Sequence, residues 1–274
     1  MKTILVAVDF TEASHNAAKY ATELARAFHA RLVIFNAYVP VPMPLSEALV
    51  AVVQDDQEPY IEQRLKDLTE ELDPSETIDI EMSKAIGRAS DGIRQAARQW
   101  QADLIVMGMK HMHHDVRRIF GSTVTALIGK IAVPLLIIPE EASFKVPGSI
   151  ALATNSDIDT GANSHIADAL CEIGHQFRSK LYVVRVVNNV PENGFQRPEA
   201  LHNKVESLWP EYVYPYGIDV SRSLQQFVEK KNIDILAMIP HQHTFFEKLF
   251  LGSQTKAMAF ATHIPLLVLP EIAE

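Results

Sequence analysis

The chain has 274 residues, of which 47% are hydrophobic and 22% charged, a composition that indicates a soluble globular protein and excludes a fibrous or disordered one. The formal net charge of −9 argues against a surface dedicated to nucleic acid or anionic membrane, because such surfaces need an excess of lysine and arginine. Cys171, the single cysteine, cannot form an internal disulfide, and no apolar run approaches the roughly 20 residues that span a bilayer. Since the N-terminus also lacks a signal-peptide pattern, we predict a cytoplasmic protein without membrane contact.

The first half of the chain predicts strands that alternate with helices. Runs of apolar and β-branched residues predict strands at residues 3–8, 31–38, 104–107 and 135–138. Apolar stripes at helical spacing predict helices between them, marked by Ala17, Ala21, Leu24 and Phe28, then by Ile61, Leu65, Leu68 and Leu72, then by Ile93, Ala97 and Trp100. Ile78, Ile80 and Met82 alternate with acidic residues, which is typical of a strand at the edge of a sheet.

The second half repeats this order. It predicts strands at residues 150–153 and 181–187, around a helix marked by Ile166, Leu170, Ile173 and Phe177. Its candidate edge strand, residues 212–216, contains Pro215, which a central strand would not tolerate because proline donates no ladder hydrogen bond. Both halves therefore place their edge strand third.

An internal duplication is clearest in residues 102–141 and 233–272. A constant offset of 131 residues relates Asp103, Gly121, Ser122 and Pro134 to Asp234, Gly252, Ser253 and Pro265. We therefore predict two tandem α/β domains, residues 1–140 and 149–274, joined by a linker at residues 141–148. Each is expected to be an open, doubly wound, five-stranded parallel sheet of the nucleotide-binding class, with helices on both faces.

Sheets of this class bind ligands beyond the carboxyl ends of their strands, where the strand order reverses. In the first half this place lies after the first and fourth strands, at Asp9 and at Gly108, which directly follows the predicted fourth strand. A carboxylate at Asp9 can accept hydrogen bonds from ribose hydroxyls or hold a metal near phosphate oxygens. Alternatively, Asp9 is the N-cap of the first helix, in competition with Thr11 and Ser14.

Gly121, Ser122 and Thr123 lie at a loop-to-helix junction. Unpaired backbone N–H groups, the positive end of the helix dipole and two hydroxyls can converge there on a phosphate. The preceding loop carries cations that could neutralise it, at Lys110, Arg117 and Arg118. The alternative is ordinary helix capping by Ser122 or Thr123.

Together these residues resemble the universal stress protein family, whose nucleotide-binding members carry G-x2-G-x9-G-[ST] after the fourth strand and an aspartate after the first. This chain has G-M-K-H-x9-G-S-T from Gly108 to Thr123, and V-A-V-D-F-T-E-A-S at its start. The resemblance spans both halves and implies a tandem member of the family. His111 stands where the family has its second glycine, so its side chain either crowds the path of the ribose and phosphates or adds a donor to it.

The resemblance implies a site for ATP or a related nucleotide, with or without magnesium. Asp9 and the backbone near Ala37 would hold the adenosine, while the phosphates would be held by Gly108, Lys110, His111, Gly121, Ser122 and Thr123. The fifth strands of family members often pair across a dimer, so the two fifth strands of this chain are expected to pair internally as a pseudo-dimer. A homodimer of whole chains is left open.

The second copy of the motif is degenerate. Asn155 stands in the position of Asp9, Ile239-Pro240-His241-Gln242 replaces Gly-Met-Lys-His, and Gln254 replaces Thr123. Its loop is apolar where the first carries two arginines. We therefore predict little or no nucleotide binding there, and a role in assembly, recognition of an unidentified protein partner or binding of an apolar ligand.

Histidines cluster in the two equivalent loops, at His111, His113 and His114 and at His241 and His243. Imidazole suits zinc, and a pseudo-twofold arrangement could bring the loops together. Adjacent loop histidines are usually solvated, however, so a metal site is the weaker alternative.

Three functions follow from this sequence. The leading hypothesis is a cytoplasmic stress-response regulatory protein that binds nucleotide in its first domain. The second is an interaction scaffold without nucleotide, in which His111 blocks the pocket. The third is a slow ATPase; no P-loop pattern, catalytic triad or carboxylate pair supports faster catalysis, so we name no catalytic residue.

Overall fold

The computed structural model describes residues 1–39, 57–110, 122–128, 130–154, 167–189, 199–239 and 263–270. Gly121, His111, His113 and His114 lie outside these residues, as do Asn155 and residues 240–262. Among the described helices, none combines the length and the hydropathy needed to cross a membrane.

The first half contains five strands and four helices within its described residues. In chain order they are β1 (Thr3–Ala7), α1 (Glu12–Phe28), β2 (Arg31–Tyr38), α2 (Gln57–Leu72), β3 (Ile80–Ile86), α3 (Ala89–Gln99), β4 (Leu104–Met109), α4 (Ser122–Leu127) and β5 (Leu135–Pro139). All four apolar markers predicted for the second helix are buried on α2. Gly108 lies inside β4, so the prediction that it follows the strand is wrong by two residues.

The second half repeats the pattern with shorter elements. They are β6 (Ser149–Ala153), α5 (Asp168–Phe177), β7 (Lys180–Val184), α6 (Glu199–Val205), β8 (Glu211–Val213), α7 (Val220–Lys231), β9 (Ile235–Met238) and β10 (Leu266–Val268). The second helix has 16 residues in α2 and 7 in α6, which accounts for much of the length difference between the halves.

The ten strands in the described part of the chain form one open sheet, in the order β3-β2-β1-β4-β5-β10-β9-β6-β7-β8. Within each half every pairing is parallel, while β5 and β10 pair antiparallel, with Leu136 opposite Leu267. The predicted fold class is confirmed, and the two fifth strands pair as expected. Because the strands at the junction are antiparallel, the strands of the two halves run in opposite directions. Their carboxyl ends therefore point to opposite sides of the sheet along the strand direction.

Two layers of apolar side chains cover the sheet. Alternate residues of each strand point to opposite faces, so Ile4, Val6 and Ile34 pack on one face while Leu5 and Val33 pack on the other. Both clusters continue from the first half into the second. Such burial on both faces is the reason that the central strands read as continuous apolar runs.

The first helices of the two halves meet at the junction. Phe28 is the last residue of α1 and Phe177 the last residue of α5, and each is followed by a left-handed C-cap residue. Their rings make an edge-to-face contact with centroids 5.8 Å apart. Gln176 adds a hydrogen bond of 2.6 Å from its side-chain nitrogen to the carbonyl of Ala27. Equivalent residues therefore contact each other, as they do across a twofold dimer interface.

Candidate functional site

A cavity of about 370 Å³ opens at the carboxyl ends of β1 and β4. These two strands are neighbours in the sheet although β2 and β3 separate them in sequence, so the cavity lies where the strand order reverses. The predicted site residues that line it are Asp9, Ala37, Gly108, Lys110, Ser122 and Thr123. Its volume lies within the range of small-molecule pockets.

Asp9 is anchored to the start of α1 without capping the helix. Its Oδ1 accepts hydrogen bonds from the hydroxyl of Thr11 at 2.6 Å and from the backbone N–H of Thr11 at 3.1 Å. Thr11 is the N-cap and forms a capping box with Ser14, so the alternative in which Asp9 caps the helix is wrong. The carboxylate of Asp9 borders the cavity and can accept further hydrogen bonds from a ligand there.

The ionisation of Asp9 is set by opposing effects. Partial burial alone would raise its pKa, but the hydrogen bonds with Thr11 and Ser14 and the positive charge of Lys110 outweigh this effect, and the pKa is lowered. Asp9 is therefore an ionised, acceptor-only group at neutral pH. Lys110 lines the same cavity, so both signs of charge are present near its mouth.

Phe10, directly after Asp9, has a left-handed backbone with φ of 59°. This conformation costs an L-residue without a short polar side chain about 1–2 kcal/mol. The guanidinium of Arg64, on α2, lies over the Phe10 ring at 4.5 Å from its centroid, and it also donates to the hydroxyl of Tyr60 at 2.8 Å. The α2 helix thus packs on the strained turn that presents Asp9 to the cavity.

Gly108 is required by packing. A Cβ atom at this position would lie 2.2 Å from the carbonyl oxygen of Ala13 and 2.7 Å from the nitrogen of Ser14. Since both atoms belong to the backbone of α1, no side-chain movement could relieve the clash. Glycine here allows the first turn of α1 to approach the end of β4, which brings Asp9 and Lys110 to one cavity.

The inner wall of the cavity is apolar. Phe35 and Ala37 lie two residues apart on β2 and so share a face, and Ile93 and Met107 complete the wall from α3 and β4. Phe35, Ile93 and Met107 were not predicted as site residues, although the alternation along β2 that places Ala37 on this face could have identified Phe35. The cavity therefore has an apolar interior and a polar, charged mouth.

A family model described as the universal stress protein family matches residues 1–139. The chain belongs to the universal stress protein family. A curated universal stress protein of Thermus aquaticus, from the 3′ region of a QAH/OAS sulfhydrylase, is 30% identical over 148 residues, which cover 50% of this chain and 98% of that one.

Solved universal stress proteins share the fold over the whole chain. The structure from Archaeoglobus fulgidus DSM 4304 has a TM-score of 0.71 at 14% identity and covers 98% of each chain. A structure from Pseudomonas aeruginosa assigned to the same family has a TM-score of 0.58 at 13% identity, covering 98% of this chain and 93% of that one. Both similarities extend through the second half, which the family model does not cover.

The second half of this universal stress protein differs at the equivalent place. Ile239 occupies the repeat position of Gly108 and is 2% exposed, and Thr154, also buried, occupies that of Val8. The strands that lead into the two histidine loops, β4 and β9, end at opposite edges of the sheet. The histidines of both loops lie outside the described residues, so the approach of the two loops stays a prediction. Among the described residues, no cluster of three or more His, Cys, Asp or Glu side chains could hold a metal.

Proposed function

We propose that the first half binds ATP or a related adenine nucleotide, and that the second half serves assembly or recognition, in a cytoplasmic regulatory protein of the stress response. The observation that carries this proposal is the cavity at the strand-order reversal, lined by six of the residues expected from the family resemblance. Membership of the family supports it further.

The lining of the cavity fits the parts of an adenine nucleotide. The apolar wall of Phe35, Ala37 and Ile93 suits a flat base, while the ionised Asp9 suits a ribose hydroxyl, because a carboxylate accepts hydrogen bonds from hydroxyl donors. Lys110 and the hydroxyls of Ser122 and Thr123 suit phosphate oxygens at the mouth. The residues of the cavity would orient the bound nucleotide, and Lys110 would offset the negative charge of its phosphates together with a magnesium ion.

The role proposed for Asp9 can be tested by exchanging residues between the two copies. Asp9→Asn gives the first copy the residue of the second, and Asn155→Asp is the matched reciprocal control. Calorimetry of the full chain with ATP and magnesium should give about one site per chain. Asp9→Asn should weaken binding by about tenfold or more, since a charged acceptor is lost, while Asn155→Asp should leave affinity unchanged.

A second substitution pair tests the phosphate end. Gly121→Asp places a carboxylate where phosphate is expected, and Gly252→Asp makes the same change in the second copy. Loss of ATP binding in the first variant alone would support the assignment. Equal effects in both variants, or no ATP binding to the unsubstituted chain, would contradict it.

The two alternative functions, an interaction scaffold and a slow ATPase, can each be tested by one substitution. If His111 blocks the pocket, His111→Gly should create or greatly strengthen ATP binding; a modest change would favour a site that already works. Phosphate release that disappears in Asp9→Ala would favour a slow ATPase, and release no higher than background would eliminate that function.

A further inference from the structure

A second cavity, of about 360 Å³, lies between the two halves of the chain. The first half contributes Tyr20 from α1, the connecting segment contributes Glu141 and Lys145, and the second half contributes residues from α7 and from the amino ends of β9 and β10, among them Asp234. We call this cavity the interdomain cleft. It is separate from the cavity at Asp9, with which it shares no lining residue.

Tyr20 is the most unusual group in the interdomain cleft. Its side chain is almost completely buried, with 3% exposed, and its ring packs edge-to-face on Phe144 with centroids 5.0 Å apart. No hydrogen bond to its hydroxyl is present in the described part of the chain. The hydroxyl is not among the buried atoms that lack a partner, so it is open to the cleft that Tyr20 lines. The only polar atom of the Tyr20 side chain can therefore hydrogen-bond to a ligand there.

The charges around the cleft indicate the kind of ligand that would complete it. Carboxylates of Glu141, Glu229 and Asp234 line it, with one ammonium, from Lys145, and the imidazole of His263. Glu229 already accepts from Gln225 at 2.9 Å through Oε1, and Asp234 accepts from Ser149 through Oδ2. These hydrogen bonds come from neutral groups and do not cancel the charge of the carboxylates. Three carboxylates against one ammonium leave an excess of negative charge in the cleft, which favours a cation.

An organic cation fits better than a metal ion. The described carboxylates and histidines of the cleft do not converge into a metal-binding cluster. The phenol of Tyr20 also stays protonated, because burial and the nearby charge of Asp234 both raise its pKa. A neutral phenol oxygen beside carboxylates can accept one hydrogen of an ammonium group while the carboxylates accept the others.

We propose that the interdomain cleft binds a small organic cation with a primary ammonium group, held by the phenol oxygen of Tyr20 and by the carboxylates of Asp234 and Glu141. The volume of the cleft limits the ligand to a small molecule. Since both halves contribute to the cleft, the bound cation would stabilise their packing against each other. Ligand-induced thermal stabilisation of the full chain should accompany binding.

The first experiment compares three probes of similar length by calorimetry on the full chain: putrescine, butanediol and succinate. Putrescine carries ammonium groups, butanediol is neutral and succinate is anionic. Saturable binding of putrescine alone is expected. The absence of saturable putrescine binding, or equal binding of butanediol or succinate, would overturn the proposal.

Two substitutions locate the binding. Tyr20→Phe removes only the hydroxyl and keeps the ring on Phe144, so the fold should be retained while the dissociation constant for putrescine rises about fivefold. Asp234→Asn keeps an acceptor for the N–H of Ser149 and should raise it about tenfold or more. Asp103→Asn changes the equivalent carboxylate of the first half, which lies outside the cleft, and should have no effect. Unchanged affinity in Tyr20→Phe, measured on a folded protein, would also overturn the proposal.

Discussion

The two halves are alike at the amino ends of their strands and differ beyond the carboxyl ends. The N–H of Val8 donates to the carbonyl of Phe35 at 2.8 Å, and Thr154 makes the equivalent bond to Val184 at 2.9 Å. Beyond this point the first half has Gly108 packed against the start of α1, whereas the second half has the buried side chain of Ile239. An isoleucine cannot accommodate a helix start as close as that of α1.

At the amino ends of the strands the duplication is preserved. Asp103 accepts from the N–H of Thr3 at 2.9 Å, and Asp234 accepts from the N–H of Ser149 at the same distance. Both carboxylates tie the start of the fourth strand of their half to the start of its first strand. The difference between the edges teaches that residues that maintain the fold have been kept in both copies, while those around the cavity differ.

The largest effect should come from adding a side chain at Gly108, where the backbone of α1 packs too closely to leave room for one. Gly108→Ala places a methyl group against the backbone of α1, so we expect a loss of about 3 kcal/mol in the free energy of unfolding, measured in urea. Gly148→Ala is the control, because the nearest atom to its added Cβ would be 3.7 Å away, and it should change stability by less than about 0.5 kcal/mol. Equal stability of the two variants would contradict the packing role of Gly108.

The duplicated carboxylates should differ in the stability that they provide. Asp234→Ala should cost about 2 kcal/mol, because it leaves the part-buried N–H of Ser149 without its acceptor and removes one of the two acceptors of the Ser149 hydroxyl. Asp103→Ala should cost about 1 kcal/mol, because its partners, the N–H groups of Lys2 and Thr3, are exposed and can bond to water. Urea denaturation of both variants measures the difference, and the reverse order would show that exposure does not decide the cost.

The contact between equivalent phenylalanines should appear as a coupling energy. In a double-mutant cycle of Phe28→Ala and Phe177→Ala, the two losses of stability should be non-additive by about 1 kcal/mol. The reason is that either substitution alone already removes the edge-to-face contact between the two rings. Additive losses would mean that the halves do not pack through these rings in solution.

The smallest expected effect is on stability at low pH and concerns Asp73. Asp73, in the turn between α2 and β3, has a lowered pKa, chiefly because of the hydrogen bond from the Thr77 hydroxyl, with further bonds from backbone N–H groups and Arg26 outweighing the effect of burial. A depressed folded-state pKa gives stability that is present above the unfolded value of about 3.9 and lost as the pH falls through the folded value. Urea midpoints should therefore fall more steeply below about pH 4 in the unsubstituted chain than in Asp73→Asn.

If the unsubstituted protein and Asp73→Asn instead show the same dependence of stability on pH, Asp73 is not the acid-sensitive group of the first half. The turn that corresponds to Asp73 in the second half contains Trp209, which is 89% exposed. The second half has a carboxyl of its own with a lowered pKa, Glu211, chiefly because of the hydrogen bond from Lys180, so only the part of the acid effect that Asp73→Asn removes belongs to the turn of the first half.

Periodicity predicted the order of the elements and the pairing class of the sheet, because apolar runs and helical stripes are local properties. It placed the third strand at residues 78–82, whereas β3 runs from Ile80 to Ile86. The N–H of Ile78 donates to Asp73 and is unavailable to the ladder, and β3 then pairs with β2 up to Tyr38. Neither constraint is visible in the alternation itself.

The edge strand of the second half was predicted at residues 212–216, but β8 ends at Val213. Pro215 accepts a hydrogen bond from Val187 at 2.9 Å but has no N–H to continue the ladder. The predicted strand at residues 181–187 is shortened with it, to Lys180–Val184. Proline thus marked the edge correctly, but its effect on strand length depends on the partner strand.

The candidate site was predictable where motif residues follow strands. Asp9 and Lys110 line one cavity because β1 and β4 are parallel and end on the same side of the sheet, and Ser122 and Thr123, at the start of α4, line it too. The need for Gly108 could not be predicted, because it depends on the distance between β4 and the backbone of α1. The interdomain cleft was also unpredictable, since it depends on how the halves pack.

The antiparallel pairing of β5 with β10 joins two parts of one polypeptide, and this changes its dependence on dilution. Two separate subunits that paired through the same strands would dissociate as their concentration fell. Here each fifth strand remains at a high effective concentration near the other, however dilute the protein is. A substitution at this junction also enters the interface once instead of twice, so each side can diverge without a matching change in the other.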